Sequence, residues 1–352
     1  MAQGRLSRTV AVVGCGHWGP NHIRVFQALP DVTVSWAVDR DEGRRRHVAS
    51  LFAGVRLTAR YDDVLADRSV DAVVIATPAS THRDLALRAI AAGKHVLCEK
   101  PLATTSAECA ELVGAAAARG VVLMVGHVFL FNQGILKLKE LMDLRELGRL
   151  YYATAVRANL GPVRDDVNAL FDLATHEVSI LNFLFDAVPE TVSACGRSYL
   201  RPGVEDVAFV TLSYPDDITA GITVSWLHPK KLRTLSVVGD KRMAVFDDLA
   251  ATPLFLHAAG GIVEPYYDSY SEFHRLTRAE EAAIPPLRAE EPLQRQARAF
   301  IDAVARGDAG IASGERGGDV VRVLEAIEVS MRGGGAPVPV PAAEQLPARR
   351  PT

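Results

Sequence analysis

The sequence predicts an α/β protein, in which a doubly wound parallel sheet is followed by a C-terminal α+β domain with a mostly antiparallel open sheet. Up to residue 126, short apolar runs alternate with segments of helical period. A glycine-rich turn follows the first of these runs directly. Between residues 191 and 246, strand-like runs are instead separated by polar turns, which is typical of antiparallel strands. Because the chain has 352 residues, we expect two domains.

The glycine-rich turn predicts the chemistry of the first domain. Residues 9–13 form the first apolar run, and Gly14-Cys15-Gly16-His17-Trp18-Gly19 follows it. Between a strand and a helix, this G-x-G-x-x-G pattern is the dinucleotide-binding fingerprint of the Rossmann fold. Gly14 permits the tight turn, Gly16 lets a pyrophosphate approach the backbone, and Gly19 lets the helix pack closely. The helix N-terminus then faces the phosphates. We expect a bound dinucleotide to contact Gly14, Gly16, His17, Trp18 and Gly19.

Asp39 indicates which dinucleotide is used. It closes the second predicted strand, residues 32–38, and follows Gly19 by 20 residues (39 − 19). A carboxylate in this position accepts hydrogen bonds from the ribose hydroxyls and repels a 2′-phosphate, which favours NAD over NADP. The neighbouring Arg40 is able to pair with a phosphate, so NADP remains an alternative.

The rest of the first domain follows the same alternation. We predict helices over 41–52 and 61–67, a helix that ends at 92 and another over 105–119, and strands over 71–76, 95–98 and 121–125. Thr105 and Glu108 have the spacing of a capping box, which places the start of the helix that contains Glu108.

Two loops are predicted to leave the ligand-binding edge of this sheet. Ligands of doubly wound sheets bind outside the carboxyl ends of the strands. Thr77-Pro78 with His82 follows one predicted strand, and Glu99-Lys100 follows the next. We therefore expect Thr77, Pro78, His82, Glu99 and Lys100 to border the cofactor. The pattern equally permits His82 to be a residue that only begins a helix, and Lys100 to be a solvated strand end.

The pattern changes after residue 126. We predict helices over 132–144, 168–184, 291–306 and 318–331, and strands over 150–157, 191–199, 207–214, 218–227, 232–238 and 243–246. From residue 333 the chain is rich in Gly, Pro and Ala, which favours a flexible tail or a strap over the surface. The expected organisation is a dinucleotide-binding domain over 1–126, a substrate-binding and oligomerisation domain over 127–332, and a flexible tail over 333–352.

Three residues are candidates for catalysis: Lys100, Asp172 and His176. Asp172 and His176 are four residues apart in a predicted helix, so their side chains share a face. Oxidation of a secondary alcohol delivers hydride to the nicotinamide while a base removes the hydroxyl proton. Histidine suits that role because its unperturbed pKa is about 6.5. The plainer alternative is an incidental ionisable pair on a helix.

These motifs resemble the Gfo/Idh/MocA oxidoreductases, the glucose–fructose oxidoreductase and inositol dehydrogenase family. The resemblance covers nearly the whole chain and rests on the glycine turn, Thr77-Pro78 with His82, Glu99-Lys100-Pro101, Asp172-x-x-x-His176 and Gly314-Glu315-x-Gly317. It implies NAD(P)-dependent oxidation or reduction of sugars and cyclitols. It places the family's lysine on Lys100 and its Asp/His pair on Asp172 and His176. It also implies a second domain whose open sheet often forms subunit contacts.

Two segments depart from the family pattern. Asp165-Asp-Val-Asn-Ala-Leu170 replaces the usual glycine-rich lead-in, and Phe129-Leu-Phe-Asn-Gln133 stands where many members have a basic residue and a proline. Both segments face substrate in the family, so its substrate rules transfer poorly. His127, Arg164 and Asn168 are weaker substrate candidates, each equally well explained as a surface or capping residue. The segment Trp226-Leu-His-Pro-Lys230-Lys231-x-Arg233 is either a solvated basic run at a strand end or a site for a phosphate or carboxylate of the substrate.

Composition excludes several classes of partner. The net charge of −3 provides no basic footprint for nucleic acid. No apolar run is long enough to cross a membrane, and the first residues lack the apolar stretch of a secretory signal. The four cysteines form neither a CxxC pair nor a cluster with histidine, so we expect reduced thiols in a cytoplasmic protein and no metal site.

The strands between 191 and 246 predict self-association. Runs such as Ala208-Phe-Val-Thr-Leu212 alternate apolar residues with small, hydroxyl or further apolar residues. One face of the sheet would expose more apolar surface than monomers usually tolerate. We expect a homodimer or homotetramer built through that face. The alternative is that the late helices and the tail cover it.

Two other functions remain open beside a dehydrogenase acting on a sugar, nucleotide-sugar or cyclitol. An NAD-assisted glycoside hydrolase would oxidise one carbon transiently and release an unoxidised sugar. A dinucleotide-responsive regulator would bind NAD without catalysis. Intact Lys100, Asp172 and His176 argue against the regulator.

Overall fold

The computed structural model describes residues 7–161, 163, 167–258 and 285–343. The chain divides into two compact units. The first comprises residues 1–131, 290–325 and 341–352, and the second comprises 132–289 and 326–340. The predicted fold class is confirmed, with a parallel sheet in the first unit and a mostly antiparallel sheet in the second.

The first sheet has six parallel strands in the order β3-β2-β1-β4-β5-β6. Its strands are β1 Arg8–Val13, β2 Val32–Val38, β3 Arg56–Thr58, β4 Ala72–Ile75, β5 His95–Cys98 and β6 Leu123–Val125. All four residues of β4 are buried, as expected for a strand covered on both faces. Strand β3 was not predicted, because three partly exposed residues at a sheet edge carry no hydrophobic period.

Five helices connect these strands. They are α1 Gly19–Gln27, α2 Glu42–Leu51, α3 Tyr61–Ala66, α4 His82–Ala91 and α5 Ser106–Arg119. The predicted capping box is confirmed at α5, where the Thr105 side chain accepts from the Glu108 N–H and the Glu108 carboxylate accepts from the Thr105 N–H. Each of these bonds satisfies a donor that the first helical turn cannot pair by itself.

The second sheet has eight strands in the order β13-β12-β11-β7-β10-β9-β8-β14. They are β7 Leu150–Leu160, β8 Thr191–Arg197, β9 Val207–Ser213, β10 Thr219–Ser225, β11 Leu227–Gly239, β12 Arg242–Asp247, β13 Leu254–Ala258 and β14 Val338–Pro339. Only the β7–β10 pair is parallel. The predicted turn between β9 and β10 is confirmed, because Asp216 and Asp217 both have positive φ, 61° and 59°. Such turns match the twist of the paired strands.

The helices of the second unit cover one face of this sheet. Here α6 spans Gln133–Asp143, a π-helical turn spans Leu170–Ala174, and α7 continues over Thr175–Phe185. Burial alternates along the strands, and in β9 Ala208, Val210 and Leu212 are buried while Phe209 and Thr211 are exposed. The strand period therefore separates a core face from an open face.

The last helices fall mainly in the first compact unit, which differs from the expected domain boundaries. Helix α8 spans Pro292–Arg306 and α9 spans Gly314–Arg332. Both were assigned to the second domain from the sequence, but α8 and residues 314–325 belong to the first unit. Phe300 of α8 packs edge-on against Phe26 of α1, with ring centroids 6.2 Å apart. Burial of that aromatic contact brings the distant segment back to the first unit.

The predicted tail is partly ordered. Strand β14 pairs antiparallel with β8, with Val338 opposite Val192. The pairing continues where the Val340 N–H donates to the Glu190 carbonyl at 2.9 Å. A proline-rich segment is compatible with the edge of a sheet, where a missing N–H leaves no ladder bond unmade. For the described residues 333–343, the structure therefore corresponds to a strap over the surface, the second of the two expected arrangements, and not to a flexible tail.

Two glycines with positive φ provide a matched test of packing at the first sheet. Gly14 has φ +96°, and a Cβ there would lie 2.5 Å from the Ala76 carbonyl oxygen. Gly120 has φ +71°, and a Cβ there would meet no atom within 4 Å. We expect Gly120→Ala to cost about 1–2 kcal/mol, the cost of the left-handed conformation alone. Gly14→Ala should cost more, because the ends of β1 and β4 must also separate. Urea unfolding without cofactor measures both, and equal shifts would contradict this account.

Candidate active site

The glycine turn has the geometry that its sequence predicts. The Gly14 N–H donates to the Val38 carbonyl at 2.8 Å. A Cβ on Gly19 would lie 2.0 Å from the Gly14 carbonyl oxygen, so any side chain there would push α1 away from β1. At Gly16 the nearest atom to such a Cβ is Arg44 Nη1 at 3.9 Å. The backbone of Gly16 therefore remains open to a phosphate, beside the N-terminus of α1.

His17 and Trp18 lie on the exposed side of this turn. Their rings meet edge to face, with centroids 5.4 Å apart. Trp18 is 40% exposed, which is unusual for its size and leaves an aromatic surface beside the open backbone of Gly16. Both residues therefore stay available to a bound dinucleotide.

Asp39 joins the glycine turn to the start of α2. Its Oδ2 accepts from the Cys15 N–H at 2.8 Å, and its Oδ1 accepts from the Asp41 N–H at 2.9 Å. Arg44 Nη1 lies 3.8 Å from Oδ2. Arg40 is exposed, and its carbonyl accepts from Arg45. Sequence reasoning missed Arg44, because an arginine in an exposed basic run ordinarily indicates a solvated helix face.

His82 links the two loops that follow β4 and β5. Its Nε2 lies 2.9 Å from the Thr77 carbonyl oxygen and its Nδ1 lies 2.8 Å from the Pro101 carbonyl oxygen. Both ring nitrogens therefore face carbonyl oxygens, which only accept hydrogen bonds. The side chain is 1% exposed. These two contacts hold both loops from their buried side. Pro78, in the loop after β4, is exposed.

Glu99 is held by a histidine that sequence reasoning missed. His22 Nε2 lies 2.8 Å from Glu99 Oε1, and the Lys100 N–H donates to Glu99 Oε2 at 3.2 Å. Burial acts to raise the pKa of Glu99, but the His22 hydrogen bond and the Lys100 charge outweigh it, so the pKa is lowered. His22 is 1% exposed on the buried stripe of α1. A histidine at a core position of an amphipathic helix is the signal that would have identified it.

His127 completes the polar group at the ends of β5 and β6. It is 1% exposed, and neither ring nitrogen has a hydrogen-bond partner among the described residues. Burial, with the Lys100 charge as a second cause, lowers the pKa of His127 to about 4. The ring is therefore neutral at neutral pH. The first unit thus brings Glu99, Lys100 and His127 together.

Asp172 and His176 lie at the junction of the π-helical turn and α7. A π-helical turn is slightly wider than an α-helical one, so residues four apart still share a face. Asp172 Oδ2 accepts from the Trp226 indole N–H at 3.1 Å. His176 is partly buried, and its carbonyl accepts from the Ser179 hydroxyl at 2.7 Å. The second unit therefore presents the predicted Asp/His pair on one helix.

Polar side-chain contacts hold this helical segment at its first turn and again at Glu177. Asn168 caps the first turn, since its Oδ1 accepts from the Phe171 N–H at 3.0 Å while its Nδ2 donates to Glu205 at 2.9 Å. Asn168 thus takes the capping role that the sequence left open. Glu177, beside His176, forms an ion pair with Arg157 of β7, and both side chains are at most 5% exposed. Removal of either partner of such a pair would leave a buried charge uncompensated.

The remaining sequence-based expectations concern one substrate candidate, metal binding and membrane spans. Arg164 lies outside the described residues. Among those that the structure describes, no group of three or more His, Cys, Asp or Glu side chains is arranged to hold a metal ion. Likewise, no helix of the described part is both long and apolar enough to cross a bilayer.

Comparisons with known proteins agree with the geometry of the first unit. Residues 8–127 match the family described as "Oxidoreductase family, NAD-binding Rossmann fold", and residues 135–245 match the "GFO/IDH/MocA C-terminal domain". Inositol 2-dehydrogenase 2 of Saccharopolyspora erythraea is 33% identical over 226 residues, which are 62% of this chain and 67% of that protein. Trans-1,2-dihydrobenzene-1,2-diol dehydrogenase of Oryctolagus cuniculus is 33% identical over 243 residues, 66% and 73% of the two chains.

Solved structures extend the similarity to nearly the full length. GenD2 from gentamicin A biosynthesis, determined in complex with NAD, has a TM-score of 0.81 and 30% identity, covering 97% of this chain and 98% of that chain. UDP-N-acetylglucosamine 3-dehydrogenase GnnA from Acidithiobacillus ferrooxidans has a TM-score of 0.80 at 24% identity over 94% and 99%, which shows a shared fold.

The residues of the first unit fit the cofactor of this family. At Gly16 the nearest described atom to an added Cβ is Arg44 Nη1 at 3.9 Å, and the Asp39 carboxylate lies at the end of β2, the position that contacts the adenosine ribose in Rossmann folds. Matches to both family domains and an overlap of 97% with an NAD-bound structure agree with that fit. The chain belongs to the Gfo/Idh/MocA family of NAD-binding oxidoreductases.

Proposed function

We propose that this protein is a dehydrogenase that oxidises a secondary alcohol of a sugar, nucleotide-sugar or cyclitol and transfers the hydride to NAD. The observation that carries the proposal is the Asp172–His176 pair, which shares one helix face with its carboxylate hydrogen-bonded to a buried indole. Two relatives are named for a cyclitol and a cyclic diol, which supports a polyol substrate.

Each residue of the candidate site has a definite task in this reaction. Bound NAD supplies the hydride acceptor at the nicotinamide C4. His176 takes the proton from the reacting hydroxyl as general base. Asp172 accepts a hydrogen bond from an adjacent hydroxyl of the substrate or orients the base. Lys100 donates a hydrogen bond to the reacting oxygen, which gains negative charge as its proton leaves.

The charges around Lys100 suit that task. Glu99 is ionised because its pKa is lowered, so a negative charge stands next to the ammonium. His127 adds no second positive charge at neutral pH, because its pKa is lowered to about 4. Lys100 is thus the cation of this group, and it is able to stabilise a developing alkoxide without competition from an imidazolium.

The choice between a free and a nucleotide-linked sugar depends on other residues. Lys230 and Lys231 are exposed in β11, within a register shift between Leu227 and Leu232 where β11 leaves its pairing with β7. A phosphate-bearing substrate would pair with these two lysines, whereas a free polyol would not. We therefore include both substrate types in the test below.

Substrate screening tests the proposal directly. We expect at least one of inositol, glucose, levoglucosan and UDP-N-acetylglucosamine to yield NADH when incubated with the protein and NAD. Absence of NADH with all four, together with no thermal shift from any of them in the presence of NAD, would contradict the proposal. Release of an unoxidised sugar from a glycoside without net NADH would instead support the hydrolase.

Lys100→Ala and His176→Ala should each lower kcat by about 10²–10⁴, the usual contribution of a general acid–base group. NAD affinity should persist, because neither residue belongs to the phosphate-binding turn. Exposed residues of the same types provide controls, and Lys241→Ala and His47→Ala should keep normal turnover. Steady-state kinetics and NAD titration measure both effects. Losses below about tenfold in both site variants would exclude the assigned roles.

We propose that Asp39 sets a preference for NAD. Asp39→Ser should raise the ratio of kcat/KM for NADP to that for NAD, because it removes the charge that repels a 2′-phosphate while Arg40 and Arg44 remain. Absolute NAD affinity should fall as well, since the bonds to the Cys15 and Asp41 N–H groups are lost. Asp39→Asn is the control, because it removes the charge and keeps an acceptor. Tighter binding of NADP than NAD by the native protein would show that this account of Asp39 is wrong.

We also propose a cytoplasmic setting on the basis of the cysteines. All four are free thiols; Cys15, Cys98 and Cys109 are buried and Cys195 is exposed. Burial raises the pKa of Cys15 and of Cys109 to about 12, so neither is a thiolate at neutral pH. Unpaired, unreactive thiols are typical of a reducing compartment.

A homodimer or homotetramer is proposed through the open face of the second sheet. Phe209 is 52% exposed there, opposite Cys195 on β8 and Thr223 on β10. A charge at the centre of this face should separate the subunits, so we expect Phe209→Glu to be monomeric. Leu144→Glu is the control, because Leu144 is 65% exposed but lies at the end of α6. Light scattering gives the mass, and a stable native species of 37.9 kDa would contradict the proposal.

A further inference from the structure

We infer that Trp226 is a positioning residue, whose buried indole fixes the direction of the Asp172 carboxylate. The inference rests on the role of Asp172 in the proposed function. Trp226 lies 54 positions from Asp172 along the chain, so no local spacing in the sequence pairs the two residues.

The indole is held rigidly. Trp226 is 1% exposed and lies between the end of β10 and the start of β11. The backbone N–H of Trp226 donates to the Asp206 carbonyl at 2.9 Å, and the backbone carbonyl of Trp226 accepts from the Gly161 N–H at 3.0 Å. Both backbone groups are therefore bonded to other segments, so the ring has little freedom to move away from Asp172.

Asp206 is itself anchored. It is 1% exposed, and its Oδ2 accepts from the N–H groups of Tyr199 and Leu200 at 2.8 and 2.7 Å. A buried carboxylate with these bonds is costly to displace. The loop at 199–200 therefore holds Asp206, and the Asp206 carbonyl holds the backbone of Trp226. The Trp226 indole in turn holds the Asp172 carboxylate.

Asp172 needs such support because of its place in the chain. It lies in a π-helical turn, where its own N–H donates to the Asn168 carbonyl at 3.1 Å. An aspartate carboxylate rotates easily about its last torsion, so the helix alone does not set its direction. The hydrogen bond at Oδ2 fixes that torsion and with it the direction of the other oxygen. An indole only donates, so it orients the carboxylate and takes no part in proton transfer.

A second tryptophan provides a matched control. The Trp36 indole N–H donates to Asp67 Oδ2 at 2.9 Å, in the first unit and apart from every candidate catalytic residue. Trp36→Phe and Trp226→Phe therefore delete the same kind of bond and the same amount of side chain. Only the second deletion removes the support of Asp172.

The kinetic test uses the panel compound that yields NADH fastest. Trp226→Phe should lower kcat by about 10- to 100-fold with little change in NAD affinity, because displacement of a catalytic group by an ångström costs a factor of that size. In an Asp172→Asn background the same substitution should have almost no further effect, and Trp36→Phe should stay near the native rate. A native rate for Trp226→Phe, or an equal loss in both backgrounds, would overturn the inference.

A spectroscopic test needs neither substrate nor turnover. The protein has three tryptophans, Trp18, Trp36 and Trp226, and hence three indole N–H signals in a ¹⁵N-tryptophan spectrum. Asp172→Asn should move the Trp226 signal, and Asp67→Asn should move that of Trp36. If Trp226→Phe does not fold, Trp18→Phe and Trp36→Phe assign the remaining signal by elimination. If Asp172→Asn leaves the Trp226 indole signal unchanged, the inference is wrong. If only the proposed function fails, no panel compound yields NADH while the Trp226 signal still moves in Asp172→Asn.

Discussion

The close approach of β1, β4 and α1 at Gly14 is the constraint on which the site of the first unit depends. No side chain fits on Gly14 or Gly19, because either Cβ would meet a backbone carbonyl oxygen at 2.5 or 2.0 Å. This contact aims the N-terminus of α1 at the backbone of Gly16. It also sets β1 beside β4, so that the loops carrying Thr77 and Lys100 leave the same edge as the glycine turn. A cofactor site forms there because parallel strands all end on one side.

Buried polar contacts then hold the individual groups of the site. His22 fixes Glu99 next to Lys100, and His82 joins the loops after β4 and β5. In the second unit, Trp226 holds Asp172. The supporting side chains are each 1% exposed, so their hydrogen bonds do not compete with bulk water. Side chains supported in this way have little freedom left to lose when a ligand binds.

Membership of the Gfo/Idh/MocA family defines the reaction class more firmly than the substrate. The residues that match the family belong to the cofactor turn, the lysine loop and the Asp/His helix. The segments that depart from the family, 129–133 and 165–170, are those that face substrate in it. A family shares the chemistry that its cofactor imposes, while the groups that contact the rest of the substrate vary from member to member.

The local features of this protein are predictable from its amino-acid sequence. The apolar runs predicted the parallel strands, Thr105 with Glu108 predicted the start of α5, and the spacing of Asp172 and His176 placed both on one helix face. Each of these features depends on residues a few positions apart, whose patterns are visible in the chain. The contacts between distant segments depend instead on the three-dimensional fold. It places α8 in the first unit and adds β14 as an edge strand. It also brings His22 to Glu99 across 77 positions and Trp226 to Asp172 across 54. These partners meet because the order of strands in each sheet brings them together, and no local pattern encodes that order.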